Sequence, residues 1–388
     1  MLSMYRCQNC HQLPSLGQLP SLQHLRIVGF DELERIGDEF YKNGESSHEG
    51  TPFRSLESLI FRGMHGWRDW HIPHEFDGFP KLKMLDISDC PVLSGDLPAH
   101  LPALEQLTIW MCEELACSLP RAPKLQELIV SSSACYETVE PHQVVVEETL
   151  QAMSVLEFLP HVQSPSLQCL KIQKCSSSIS ISGDYLPDSL QVLIISDCSE
   201  LTFSKPLQHK SLREIHVSQC DSVTLFPLGA LPNLKKLEIS DCSEMDSFGE
   251  ECLPPSLTSL RINNCKKLAS WMTSKGLQSE GLNHLSLEQW NDVKSFPREG
   301  CLPSSIQSLE LSHFSNLETL ECEGLQHLTS LKQLTIEECP KLENIMEQRL
   351  PASIEKLYIM GQCPLRSKLE ETKDHRIQFQ TVQEDEFS

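Results

Sequence analysis

The sequence predicts an α/β solenoid: a parallel sheet lines a concave face, and mostly irregular or short-helical segments return the chain along the convex side. Three observations predict it. The stretch Leu234-Lys-Lys-Leu237-Glu-Ile239-Ser-Asp-Cys242 has the pattern L-x-x-L-x-L-x-x-C. Its two-residue step between Leu237 and Ile239 is strand period, so these two point to one face and Glu238 to the other. The pattern then recurs, with first apolar positions at Leu22, Leu56, Leu82, Leu104, Leu125, Leu167, Leu190, Leu212, Leu234, Leu257, Leu282, Ile306, Leu331 and Ile354. Finally, strands this short cannot bury an apolar face alone and must stack on neighbours of the same kind.

Fourteen copies at intervals mostly of 21 to 26 residues, with two of 34 and 42, carry the leucine-rich-repeat signature. The expected architecture is a leucine-rich-repeat solenoid, an open horseshoe of about 14–15 repeats over residues 1–363, followed by a charged cap and tail over 364–388. Aromatic residues at 6% fit a core of Leu and Ile rungs. A net charge of −22, from 54 acidic and 32 basic residues, disfavours nucleic acid and anionic membrane as partners. No apolar run approaches the roughly 18 residues of a membrane helix.

In chain order, Leu2, Met4 and Cys7 fall on the later positions of a repeat, so the sequence opens in mid-repeat. That placement, and the lack of an apolar signal core, suggests the C-terminal part of a longer protein or a truncated gene product. Leu13-Pro-Ser-Leu-Gly-Gln-Leu-Pro-Ser-Leu22 reads as a convex return. Residues 38–52 are polar, break the period and read as a protruding loop. The interval of 42 across 131–165 is twice 21, which favours a degenerate repeat over an inserted loop. The last copy reaches Cys363 one residue late. Residues 366–374 suit a short covering helix, and about 377–388 reads as disordered.

Seventeen cysteines would suggest disulfides in a secreted protein. Cys7, Cys90, Cys112, Cys175, Cys198, Cys220, Cys242, Cys265 and Cys339, however, share one repeat position. Stacked rungs would put them about 5 Å apart, with each thiol pointing inward as a small buried hydrophobe. None of the nine asparagines begins an Asn-x-Ser/Thr acceptor site. Both features point to a reducing, cytoplasmic compartment.

A narrower resemblance lies in the first third: Cys7-x-x-Cys10, Leu13-Pro-Ser-Leu-Gly-Gln-Leu-Pro-Ser-Leu22, Ile36-Gly-Asp-Glu-Phe-Tyr41, Phe53-Arg-Ser-Leu-Glu-Ser-Leu59 and Trp67-Arg-Asp-Trp70, in that order. This resembles the repeat domain of plant coiled-coil, nucleotide-binding, leucine-rich-repeat (NLR) immune receptors. The resemblance implies a repeat domain that senses a pathogen effector or an altered host protein. It also implies restraint of an NB-ARC nucleotide-binding domain, in cis or in trans. The chain has no Gly-x-x-x-x-Gly-Lys-Ser/Thr loop and no Gly-Lys dipeptide, so nucleotide binding does not carry over. It also lacks the family's tryptophan-containing ending.

No catalytic or cofactor constellation stands out. Cys7 of Cys7-x-x-Cys10 is already a repeat position, and no second pair stands at metal spacing. Pro73 keeps His71 and His74 off one helical face, and no Gly-x-Ser-x-Gly elbow occurs. An enzyme is therefore not expected. What remains is a protein-binding surface on the residues flanking the inward pair of each strand. Its candidate anchors are Arg26, Arg62, Trp110, Lys171, His216, Glu238, Arg261, Glu288, Glu310 and Tyr358, with cations mainly early and acids mainly late. A stand-alone cytosolic adaptor or ubiquitin-ligase substrate-recognition module, and a non-functional receptor fragment, are the alternatives.

Overall fold

The computed structural model describes residues 1–7, 9–42, 51–73, 79–115, 120–131, 165–174, 179–181, 186–203, 207–226, 228, 231–249, 253–345, 350–370 and 376–380. They fall into two compact units, one ending at Glu200 and the other beginning at Leu201. All fourteen copies form a strand where the pattern places it.

In the first unit the strands are β1 (Leu2–Tyr5), β2 (His24–Val28), β3 (Ser58–Arg62), β4 (Met84–Ser88), β5 (Gln106–Trp110), β6 (Glu127–Ser131), β7 (Cys169–Gln173) and β8 (Val192–Ser196). They pair in chain order, all parallel, with equivalent repeat positions in register. The second unit repeats the arrangement with β9 (Glu214–Ser218), β10 (Lys236–Ser240), β11 (Ser259–Asn263), β12 (His284–Glu288), β13 (Ser308–Ser312), β14 (Gln333–Glu337), β15 (Lys356–Met360) and β16 (Ile377–Gln380). These too are parallel and in register.

The inward pair of each full repeat is sealed from water, except that Val130 is half-buried. Leu237 and Ile239, Leu260 and Ile262, and Leu285 and Leu287 are all 0% exposed. At ~1.5–3 kcal/mol per buried aliphatic side chain, these rows are the main favourable term for the fold. The leading leucine of each copy packs behind them, from Leu22 at 7% exposed to Leu56, Leu82 and Leu234 at 0%. Most returns are irregular. Among the described residues two are helical: α1 (Lys266–Lys275), which buries Leu268, Ala269 and Met272, and α2 (Cys322–His327). A third helix, α3 (Leu365–Glu370), overlaps the start of the region read as a covering helix, of which 371–374 lie outside the described residues.

After nearly every described strand the chain enters the left-handed region. Asp89, Met111, Lys174, Asp197, Gln219, Asp241, Asn264, Gln289, His313 and Glu338 have φ of 49–59°, and Gly29, Gly63 and Gly361 hold the equivalent place at 60–70°. The amide of this residue donates to the last strand carbonyl of the next rung, as Asp89 does to Trp110 and Gln219 to Ser240. The turn thus extends the ladder by one bond. It also swings the following cysteine inward, where its thiol donates to the carbonyl two residues back: Cys90 to Ser88, Cys220 to Ser218, Cys265 to Asn263 and Cys339 to Glu337, at 3.2–3.4 Å.

Four expectations need correction. Residues 38–42 are not a protruding loop. Asp38–Phe40 is a 3₁₀ turn, and Phe40 and Tyr41 are 0% exposed. They join Phe53, Phe61, Trp67, Trp70 and Phe79 in an aromatic cluster with ring centroids 4.7–6.5 Å apart. There the Trp70 indole N–H donates to the Tyr41 hydroxyl at 2.8 Å, and burial pushes the Tyr41 phenol well above its usual range. The rest of that stretch, 43–50, lies outside the described residues. Second, β6 pairs directly with β7, so the interval of 42 residues advances this sheet by one rung, not two. Residues 132–164 themselves lie outside the described part. Third, part of the tail is ordered. Ile377–Gln380 alternates apolar and polar residues and pairs with β15, while 381–388 lie outside the described residues. Fourth, Cys7 is exposed, because β1 has a neighbour on one side only. Cys175 lies outside the described residues.

One glycine tests how closely consecutive returns approach. A Cβ on Gly281 would stand 2.0 Å from the backbone oxygen of Pro255, an atom that cannot rotate away. Gly281→Ala is expected to cost ~1–3 kcal/mol, read as a lower urea midpoint at an unchanged slope. An unchanged midpoint would mean that the two returns are not in contact.

Candidate protein-binding face

Alternation that buries the Leu/Ile pair turns three side chains per strand to the other side of the sheet, and parallel register stacks them into columns. The candidates occupy two of these. In the first unit Arg26 is in register with Ile60, which continues through Asp86, Thr108 and Ile129 to Lys171. Beside it, Arg62 continues through Ser88 to Trp110. In the second unit one column runs His216, Glu238, Arg261, Ser286, Glu310, Thr335, Tyr358. Glu288 lies in the adjacent column, between Asn263 and Ser312. Each unit therefore assembles its own candidates on one face.

Most of these charges are matched within the sheet face. Arg62 donates to the Asp86 carboxylate at 3.2 Å. Lys171 donates to Glu127, which holds the ammonium pKa above its ordinary value. Arg26 is half-buried with its guanidinium 6.0 Å from the Tyr5 ring centroid, and its Nε has no partner. Lys174 stands 5.8 Å from the centre of the half-buried Trp110 ring. In the second unit His216 meets Glu238 at 2.5 Å and Glu214 at 3.6 Å, and Lys236 meets Glu238 at 2.9 Å. Glu288 lies between Arg261 at 3.9 Å and His313 at 3.7 Å. Glu310 and Glu337 are half-buried, with no ion pair among the described residues.

Asp86, Glu127, Glu214 and Lys236 were not among the candidate anchors. Glu127, Glu214 and Lys236 begin their strands, one step before the first inward residue, and form a third outward column; Asp86 lay in a column already read. The signal was present: outward positions two apart on one strand, or one rung apart, carrying opposite charge. Ser88, Ser131, Ser286, Ser312 and Thr335, 1–8% exposed, form a low floor between these larger side chains. The Oγ atoms of Ser131 and Ser286 have no hydrogen-bond partner. Among the described residues no cluster of three or more His, Cys, Asp or Glu side chains could hold a metal ion. No described helix is long and apolar enough to cross a membrane.

Comparison with known proteins agrees with this architecture. A circular leucine-rich-repeat protein, CroV588, superposes with a TM-score of 0.51 over 93% of this chain and 56% of its own, at 18% identity. A disease-resistance RPP13-like protein 1 from Arabidopsis thaliana is 34% identical over 212 residues, 52% of this chain. The chain is a leucine-rich-repeat domain related to plant disease-resistance proteins. A second such relative, the Arabidopsis thaliana disease-resistance protein At3g14460, is 41% identical over 118 residues, 30% of this chain. The matched stretches take up 18% and 8% of the two plant proteins, so this leucine-rich-repeat domain corresponds to a small part of each. No family model matches the chain.

The paired charges of this leucine-rich-repeat domain make its stability depend on pH. Burial raises the Glu238 pKa, but the hydrogen bond from Lys236 and the His216 charge outweigh it, so the folded value lies below the ordinary carboxylate range. A carboxylate with a lowered folded pKa stabilises above its unfolded value, and the effect fades as pH falls through the folded one. The stability gap between the parent and Glu238→Gln should therefore be full at pH 7 and close as pH falls through the lowered folded value. His65 has the opposite sign. It bridges Asp31 at 2.7 Å and Asp89 at 3.3 Å, and the Asp31 hydrogen bond raises its pKa. Its contribution should be full below pH ~6.5 and fade above, so His65→Asn should destabilise at pH 6 and be close to neutral at pH 8.5. Denaturant midpoints across pH for both variants check the two signs together.

Proposed function

We propose that this repeat domain is the ligand-sensing and autoregulatory part of a plant intracellular immune receptor and works by protein–protein recognition on the outward sheet face. The observation that carries this reading is the segregation within each rung. Inward positions are occupied by Leu, Ile, Val and, in one rung, Phe61, which pack the rows. Outward positions carry Arg, Lys, Glu, His, Trp and Tyr over a low serine floor. Such a face offers long side chains held at fixed spacing on a rigid backbone, the arrangement from which hot-spot contacts are made. Kinship with plant disease-resistance proteins supports a role in defence. The partner is a pathogen effector or a host protein modified by one, together with the receptor's own NB-ARC domain. The compartment is cytoplasmic, with nuclear entry in some settings. No bound cofactor and no chemical step belong to this reading.

Charge matching says where a ligand gains most. Arg62, Lys171, Glu238 and Glu288 already have partners within the sheet face, so a ligand must compete with those. Glu310 and Glu337 carry unmatched charge in a half-buried setting, and a cationic group there faces no internal competitor. The early cations are assigned to contact with the nucleotide-binding domain.

The test joins this domain to the nucleotide-binding region of a related disease-resistance protein and reverses charges separately. Arg26→Glu with Arg62→Glu should release restraint and give cell death without ligand. Glu310→Lys with Glu337→Lys should keep the resting state quiet and remove the response to ligand. Equal behaviour of the two pairs, or no effect from either, would refute the division of labour between the faces.

A further inference from the structure

In the second unit, long and short outward side chains alternate over four successive strands and enclose a small cup. One column runs Ser286, Glu310, Thr335, Tyr358 in register on β12 to β15. In the next column Ser312 stands two residues from Glu310 on β13, and Glu337 two residues from Thr335 on β14. Thr335 and Ser312, 8% and 5% exposed, form the floor. Glu310, Glu337 and Tyr358, all half-buried, stand around it. Adjacent strands are about 4.8 Å apart, so the main chains under Glu310 and Tyr358 lie roughly 10 Å apart with only Thr335 between them.

We propose that this cup takes the guanidinium of an arginine side chain carried by a partner protein. The proposal rests on the reading of the outward face as a protein-recognition surface, and it names the chemistry that this part of the face selects. Charge complementarity is the first support. Among the described residues neither Glu310 nor Glu337 has an ion pair, whereas Glu238 and Glu288 do. Ser286 is a second and independent support. It is 2% exposed, its Oγ has no hydrogen-bond partner, and it lies one rung from Glu310 on the same face. A buried hydroxyl left unpaired costs free energy, and a fork of donors pairing with the Glu310 carboxylate brings N–H groups to that oxygen as well.

Tyr358 selects guanidinium over ammonium. A guanidinium is planar and weakly hydrated, so it stacks on an aromatic ring while its edges donate to carboxylates. An ammonium is compact and strongly hydrated, and it gains less from the ring for the water it gives up. The face already pairs its own arginines with carboxylates one rung on: Arg62 meets Asp86 at 3.2 Å, and Arg261 lies 3.9 Å from Glu288. A bare metal ion is the poorer occupant, since among the described residues no three ligating side chains converge to hold one.

The probe is a capped glycine hexapeptide with one arginine and a neutral dye, set against its twin with lysine in the arginine's place. Both are titrated by fluorescence anisotropy into the folded chain at physiological salt. The arginine peptide should bind about fivefold tighter than the lysine twin, which carries the same charge. Glu310→Gln with Glu337→Gln should weaken arginine binding about tenfold. Tyr358→Leu should bring the twins level, and Tyr358→Phe, which keeps the ring, should preserve the preference. Glu113→Gln with Glu114→Gln removes the same charge from exposed positions outside the face and should change neither affinity. A near-ultraviolet circular dichroism spectrum matching the parent shows that each variant is folded. No binding, equal affinity for the twins, an equal loss in the Glu113 and Glu114 control, or a preference that survives Tyr358→Leu overturns the proposal. If it is overturned while the joined receptor carrying Glu310→Lys and Glu337→Lys still loses its response to ligand, the arginine assignment fails and the recognition face stands. If that receptor keeps its response as well, both fail.

Discussion

The structure depends on a constraint that repeats at the end of each strand: the chain must reverse within one residue while keeping its hydrogen-bond ladder. A left-handed residue meets it, since its amide stays on the ladder and its carbonyl side turns inward. Left-handed backbone costs an L-residue roughly 1–2 kcal/mol, and only glycine is free of that cost. Here Gly29, Gly63 and Gly361 take the position in three copies, and Asp89, Asp197, Asp241 and Asn264 in four. Asp and Asn tolerate the region better than most side chains. Met111 and Gln219 do not share that tolerance and are held there by the ladder bond and by the cysteine that follows. The small thiol suits that place because it fills the inward corner and still donates to the carbonyl two residues back. A larger aliphatic side chain would fill the corner without that donation, and serine would put a stronger polar group into an apolar row.

Most of the architecture was legible because each rung repeats an inward pair at period two, and many rungs add a cysteine three residues later. Repetition turned a weak local signal into a register that fixed all fourteen strands. The features that escaped are those a repeat pattern cannot encode. Phe40 and Tyr41 sit in a polar stretch outside the period, yet Trp67, Trp70 and Phe79 come from the following return to enclose them. Ile377–Gln380 is too short to carry the leading leucine, and it is ordered because β15 offers a free edge. The direct pairing of β6 with β7 shows that interval length alone does not count rungs.

The sheet face was legible in position and illegible in charge. Which residues point outward follows from parity, so Arg26, Trp110, Glu310 and Tyr358 were placed without reference to packing. Which of them are electrostatically free depends on the neighbouring rungs, and sequences more than 20 residues apart supply those partners. Lys171 meets Glu127 from 44 positions earlier, and Arg62 meets Asp86 from 24 positions later. A list of charged residues therefore overstates the field a ligand would meet. The half-exposed pairs contribute little stability each, because water screens them and long side chains lose freedom. Their larger effect is on recognition: a matched pair must be broken before either member serves a ligand.

This sets a division within every repeat. The inward leucines, the turn residue and the cysteine answer to neighbours above and below, and a change at any of them disturbs at least two interfaces. The outward residues answer mainly to the adjacent rungs of the same column, and a change there alters one or two ion pairs. Ser286 and Ser312 mark the points where the column has no long side chain and the backbone is approached most closely. Glu310 and Glu337 stand one rung apart around that floor, and their charges are not cancelled by the sheet that holds them. Among the described residues no cation is paired with either carboxylate, so a cationic group can meet them without first breaking an ion pair, unlike at Glu238 or Glu288.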